Sequence, residues 1–180
     1  MSYVALFRNV NLGHPGSPTS TILVDAFGGP SVANSFQTNG TVVFDAVDPE
    51  SVISQARIGL AAVEFHQNFV VRPLTDIASL LNEAPEIDPA ENVYRLMVSF
   101  FDTIDGSQIS VPLRSPNELV EVRSFHDSHA WSVCWKPKNT AGNVTGFLES
   151  LLEVPVTTRT AATLERLSRK HGTAGLALRS

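Results

Sequence analysis

Arg8, Asn9 and Asn11 close a nearly continuous apolar run that begins at Tyr3, and a second polar group, Asn39-Gly40-Thr41, follows later in the chain. A guanidinium, side-chain amides and a hydroxyl are the donors that a carboxylate or phosphate needs, because charge-assisted hydrogen bonds are the strong ones. A βαββαβ order would bring the two groups together. In that topology strands one and two run parallel, with strand three antiparallel between them, so the strand 2–3 hairpin lies at the sheet edge where strand one ends. The first helix starts from the same edge, and its exposed amides also favour negative charge. The site expected on this reading is Arg8, Asn9, Asn11, Asn39 and Thr41, with Arg159 reaching across from another element. The alternative uses the same residues structurally. Asn11-x-Gly13 and Asn39-Gly40 are turn formers, and Arg8 would then bond the carbonyls of neighbouring turns.

Other chemistries find less support. His126-Asp127-Ser128-His129 would set two imidazoles opposite each other across a two-residue hairpin, which is metal-ligand geometry, but no third ligand is evident and no metal is expected. Serine, histidine and aspartate all occur without a Gly-x-Ser-x-Gly elbow, so no catalytic residue is assigned. The chain has no Walker A loop and no Gly-x-Gly-x-x-Gly fingerprint, so no cofactor is expected. Cys134 is the single cysteine, which rules out an internal disulfide and a cysteine-based zinc site. Its place between Trp131 and Trp135 reads as a buried apolar thiol. The alternation Trp131-Val133-Trp135 fits either a base-stacking face or a core wall, and the acidic chain favours the wall.

The 180 residues carry 43% hydrophobic and 17% charged side chains with a net charge of −5. That is ample apolar material for a core without metal or disulfide staples. Nucleic acid is disfavoured, since phosphate neutralisation needs a basic face and the only lysines are Lys136, Lys138 and Lys170. The first residues lack a basic segment and a small-residue cleavage site, and no apolar run is long enough to span a bilayer. A cytosolic domain is expected, with no membrane partner. Its ligand would be a small anion; the competing reading is a non-catalytic domain whose working surface is a homodimer or partner interface.

The elements that must hold these residues can be read from spacing. Tyr3–Val10 reads as a central strand, and Ser17-Pro18-Thr19-Ser20 as the start of a short helix over 21–27, stopped by Gly28-Gly29-Pro30. Two strands, 33–38 and 41–45, join through Asn39-Gly40, a type I′ hairpin signature. Asp48-Pro49 caps a helix whose stripe is Val52, Ala56, Leu60 and Val63, and 65–74 reads as the fourth strand, followed by a helix capped by Thr75. This is the order of a ferredoxin-like lobe. An acidic, proline-bearing linker over 82–91 separates residues 1–82 from a second lobe over 92–180. That lobe shows strands at 93–101, 119–125 and 129–135, a helix capped by Asn143, and a last helix from about Arg159 to Lys170. Residues 102–118 read as a loop or a broken helix, and 171–180 as a loose tail. The expected class is α+β, two ferredoxin-like lobes with antiparallel-rich sheets packed by helices.

Three stretches carry a family likeness: Phe7-Arg8-Asn9-Val10-Asn11-Leu12-Gly13, Asn39-Gly40-Thr41-Val42-Val43-Phe44, and Thr157-Thr158-Arg159 through Thr163-Leu164-Glu165-Arg166-Leu167. Together they resemble a bacterial family without an established activity, domain-of-unknown-function family 1697 (DUF1697). Its pattern is an Arg-Gly-x-Asn-x-Gly strand end, a Ser-Gly-Asn-Val-Val-Phe turn and strand, and a Thr-x-Arg-Asn-Trp-x-Thr-Val helix start. The resemblance implies two α/β lobes. Here Asn9 stands for the family's Gly, Asn39 for its Ser and Thr41 for its Asn, while Thr160 and Ala161 stand for its Asn-Trp. Losing that tryptophan removes a large stacking group from the helix start.

Overall fold

In the computed structural model, which describes residues 1–8, 10–12 and 14–172, the apolar run after Met1 forms β1 (Ser2–Phe7). Val4, Ala5, Leu6 and Phe7 in it are fully buried, which is why the run is continuous rather than alternating. Around it the chain follows the expected βαββαβ order: α1 (Ser20–Ala26), β2 (Ala33–Phe36), β3 (Thr41–Asp45), α2 (Pro49–Ala61), β4 (Phe69–Pro73) and α3 (Leu74–Leu81). The sheet order is β2-β3-β1-β4, with every neighbouring pair antiparallel. Asn9 and Gly13 lie outside the described residues.

Helices α1 and α2 start where their caps put them. Thr19 accepts the amide of Ile22, and Asp48 accepts that of Ser51 with Pro49 in the first turn. They close over a core in which Phe7, Phe27, Phe44 and Phe69 meet ring to ring, with centroids 4.7 Å apart for Phe7–Phe69 and 4.9 Å for Phe27–Phe44. Val63 does not join the α2 stripe. It lies past the helix end and is 50% exposed. The fourth strand is also shorter than the apolar run, because Phe65 is drawn back by its amide to Leu60 O and belongs to the turn that ends α2.

The second sheet has the order β6-β7-β8-β5-β9, built from β5 (Arg95–Phe100), β6 (Leu113–Arg114), β7 (Val120–His126), β8 (His129–Cys134) and β9 (Thr157–Thr160), all antiparallel. Four of its strands repeat the spatial order of the first sheet. The first crossover differs: where the first sheet has α1, residues 101–119 run without an α-helix and contribute the short β6. Helix α4 (Val144–Leu152) is capped by Asn143, and its Val144 and Leu148 pack with Phe101, Val120, Val122 and Val156. The molecule is thus α+β, with two antiparallel sheets and five α-helices among the described residues.

Two expectations change here. Thr157-Thr158-Arg159 is an edge strand, β9, and not a helix start. β-Branched threonines suit a pleated edge, and the pairing Val98↔Arg159 holds them there. The helix α5 (Ala161–His171) begins immediately after, with Thr160 Oγ1 accepting the amide of Thr163. The division between compact units falls inside α3, between Ala78 and Ser79, instead of within 82–92. Residues 167–172 group with the first unit. Residues 89–91 are no open linker either, since Asp88 and Glu91 form a capping box around a 3₁₀ turn. His171 closes α5, and 173–180 lie outside the described residues.

The β2–β3 connection is wider than a type I′ turn. The register pairs Phe36 with Thr41, leaving residues 37–40 as the loop, with positive φ at Gln37 and Gly40 and not at Asn39. Gly40 is the constrained position. At φ +65 a Cβ there would stand 2.5 Å from Val10 Cβ and 2.9 Å from Phe7 Cβ. Gly29, at φ +85, has nothing within 4 Å of its own Cβ position. Gly40→Ala should therefore lose about 2–5 kcal/mol of stability, the left-handed backbone and the overpacking combined. Gly29→Ala should lose only the backbone part, about 1–2 kcal/mol. Urea unfolding of the two variants checks this, and equal losses would remove the steric component.

Candidate functional site

At the rim of the first sheet β1 ends, the β2–β3 loop turns and α1 begins. Phe7 N donates to Gly40 O at 2.8 Å, and Leu12 N donates to Thr38 O at 2.7 Å, so the segment after β1 is laced to the hairpin loop. Beside that seam lies an open groove of about 510 Å³ lined by Leu12, Thr19, Ser20, Ser35, Gln37 and Thr38. Among the described residues its polar lining is hydroxyl and amide. Two more donors follow β1 directly: Arg8, half-buried, with its amide on Asn68 O at 2.9 Å, and Asn11, exposed, whose carbonyl accepts His14 N.

The expected site residues divide into three groups. Arg8 and Asn11 stand at the expected sheet edge with the β2–β3 loop. Asn39 and Thr41 are at the same edge but bond each other: Thr41, buried in β3, donates its hydroxyl to Asn39 Oδ1 at 2.8 Å. That contact fixes the loop, and the groove is lined by Gln37 and Thr38 instead. Nothing in residue type marks those two. Only the four-residue loop, which the Asn-Gly dipeptide conceals, turns them to the groove.

Arg159 belongs to the second unit, so it does not join Arg8 within one compact unit. It is 7% exposed, and its Nη1 donates to Thr158 O at 2.9 Å and Thr157 Oγ1 at 3.2 Å. Burial pushes its pKa down to about 10, still well above neutrality, so it remains a cation. A second groove, of about 600 Å³, opens where β9 passes into α5. Arg95, Arg166, Glu165, Thr160 and Thr163 are among its lining residues, and Arg159 is not.

The hairpin of β7 and β8 places His126 and His129 as expected, a registered pair with stacked rings whose centroids are 4.4 Å apart. Glu83, which the spacing of the chain does not connect to the pair, brings a carboxylate beside it. One ligand atom from each of the three residues lies within 4.8 Å of the others. Linear sequence hides the grouping because Glu83 comes from the turn after α3.

Two other features take structural roles. Trp131, Ser132, Val133 and Cys134 are all buried, so β8 is core on both faces and offers no base-stacking surface. Burial pushes the Cys134 thiol up, which makes it a poor nucleophile. The largest charge cluster joins Arg123 to both Glu91 and Glu121, with Arg114 also on Glu121. Glu91 closes the 3₁₀ turn, and its backbone carbonyl accepts Trp135 Nε1 at 2.9 Å. These pairs tie Glu91 to β7 and to Trp135, which follows β8.

No family model matches the chain, and no curated protein matches it either. Among solved structures, the conserved bacterial protein SP0830 from Streptococcus pneumoniae is similar in fold, with a TM-score of 0.60 and 16% identity over 93% of this chain and 97% of that one. At that identity the likeness bears on the fold alone. Among the described residues, no helix is long and apolar enough to cross a membrane.

The Arg123 pairing generates a pH prediction. The guanidinium holds the Glu91 carboxyl below its ordinary value of 4.5. A depressed carboxylate stabilises the fold above its unfolded pKa, and that contribution is lost as pH falls through the folded value. Unfolding curves between about pH 6 and about pH 3 should show wild type losing stability below pH 4.5, and Glu91→Gln and Arg123→Ala falling less steeply. Three parallel curves would detach Glu91 from Arg123.

Proposed function

We propose that this chain is a cytosolic member of the DUF1697-like bacterial proteins, with two ferredoxin-like lobes, and that it binds a small anionic ligand at the strand-end rim of its first unit. The observation that carries the reading is the groove beside the Leu12–Thr38 seam, whose polar lining among the described residues, Thr19, Ser20, Ser35, Gln37 and Thr38, is of hydrogen-bonding groups. Arg8 and Asn11 follow β1 at the same edge, outside the groove's lining, and would bring a cation and an amide to a ligand there. Hydroxyls and amides can grip a carboxylate or phosphate from several directions, and a guanidinium adds charge that they lack. Thr41 and Asn39 serve this site by holding the loop.

Thermal shift with inorganic phosphate and a panel of metabolite carboxylates and phosphates tests the proposal on wild type and Arg8→Ala. A ligand at a hundredfold excess over its dissociation constant stabilises by about 2.7 kcal/mol, which is about 5–10 °C for a chain of this size. The expected result is such a rise for wild type. Arg8→Ala should keep its own melting temperature within a few degrees and lose the rise. Ser35→Ala should weaken the response in the same direction. No shift with any compound, together with a markedly destabilised Arg8→Ala, would retire the site and leave the interaction-domain reading in its place.

A further inference from the structure

His126 and His129 flank the two-residue turn Asp127-Ser128 and are cross-strand partners in the last register position of β7 and β8. Residues opposed in this way carry their side chains on the same side of the ribbon. The two imidazoles accordingly lie nearly parallel, 14° between planes and 4.4 Å between centroids. Glu83 reaches the same place from the turn that ends α3, where its amide donates to Leu80 O. A histidine nitrogen from each ring and a carboxylate oxygen then fall within 4.8 Å of one another.

We propose that Glu83, His126 and His129 form a binding site for a divalent transition-metal ion of the zinc type. The donor set selects the metal class. Two imidazoles with one carboxylate suit Zn²⁺, and also Co²⁺, Ni²⁺ and Cu²⁺, whereas Mg²⁺ and Ca²⁺ prefer oxygen alone. Metal bonds of about 2.0–2.2 Å set neighbouring ligands of a tetrahedral ion about 3.3 Å apart. The three atoms must therefore draw together by side-chain rotation. Glu83 and His126 are exposed and have room for it, while His129, half-buried, supplies the fixed end.

The backbone beneath the ligands is anchored. Ile104 N donates to Asp127 O at 2.9 Å, Phe101 N donates to Ser128 O at 3.3 Å, and Phe125 stacks on Phe101 with centroids 5.4 Å apart. The turn that separates the two histidines is therefore held from the side by the segment following β5. Three protein ligands leave a position for water, the arrangement of an open site and not of a closed structural one.

The test uses the full chain without an affinity tag, stripped with a chelator and titrated with zinc chloride by calorimetry. One ion per chain is expected, with a higher melting temperature in its presence. His126→Ala, His129→Ala and Glu83→Gln should each weaken zinc binding at least tenfold, and His66→Ala, outside the cluster, should leave it unchanged. Glu83→Gln keeps size and polarity, so its effect isolates the carboxylate. Cobalt substitution adds a readout independent of stability: intense visible bands report a four-coordinate ion, and they should vanish in His126→Ala. Absence of zinc binding to wild type would overturn the proposal. So would affinity that survives in the double variant His126→Ala, Glu83→Gln. Full affinity in Glu83→Gln alone would overturn the three-ligand assignment.

Discussion

The backbone of Gly40 lies against the side chains of Phe7 and Val10, closer than any Cβ would allow, and the strand-end rim depends on that approach. Because Gly40 can take positive φ without a side chain, its carbonyl can receive Phe7 N, and the end of the buried central strand is pinned to the hairpin loop. Leu12 N then meets Thr38 O one step further on. Those two bonds fix where the chain leaves β1 and where α1 can start, and so shape the groove between Thr19 and Thr38. Thr41, with its hydroxyl on Asn39, completes the loop from the other side.

In the second unit the buried charges are tied to structure. Arg159 spends at least part of its hydrogen-bonding capacity on Thr157 and Thr158 of its own strand. Arg123 divides its guanidinium between Glu91 and Glu121, the latter 6% exposed. Buried carboxylates of this kind need their cation, because an unpaired charge in the interior is expensive. That is why charge density alone is a poor guide to a site here: the cluster around Arg123 holds a 3₁₀ turn against the sheet.

What could be read from the sequence, and what could not, follows from the range of each interaction. Caps are local, so Asp48 and Asn143 identified their helices at the right residues, and the 17–20 entry bracketed the cap of α1 at Thr19; Thr75, expected as a cap, lies inside α3, which starts at Leu74. The βαββαβ order was legible because hydrophobic runs and turn formers alternate cleanly up to Leu81. The Asn39-Gly40 dipeptide misled on loop length, since the glycine answers to Val10 and Phe7 rather than to a two-residue turn. Thr157-Thr158-Arg159 misled in another way. Threonine serves both as a helix cap and as a strand residue, and only pairing with β5 decides between them. The carboxylate opposite the histidine pair was out of reach because nothing in the local spacing connects Glu83 to a hairpin so far along the chain. Of the site around Arg8, the edge was legible and the lining was not.

The two candidate sites occupy the same topological corner of their respective sheets. In each sheet the strand order places a hairpin next to the end of the central strand: β2–β3 beside β1, and β7–β8 beside β5. In each, a phenylalanine at the end of that central strand donates its amide to the hairpin loop, Phe7 to Gly40 O and Phe101 to Ser128 O. Loop length then decides what the corner can bind. A four-residue loop, opened by positive φ at Gln37 and Gly40, spreads hydroxyls and amides along a groove. A two-residue turn brings its flanking side chains face to face, so that imidazoles rather than a groove become the recognition element. The neighbouring connection sharpens the contrast. After β1 it becomes α1 and offers a helix start. After β5 it stays irregular and clamps the turn through Ile104 and Asp127. The shared strand order supplies the place, and the turn chemistry decides which side chains it presents: hydroxyls and amides in one unit, two imidazoles in the other.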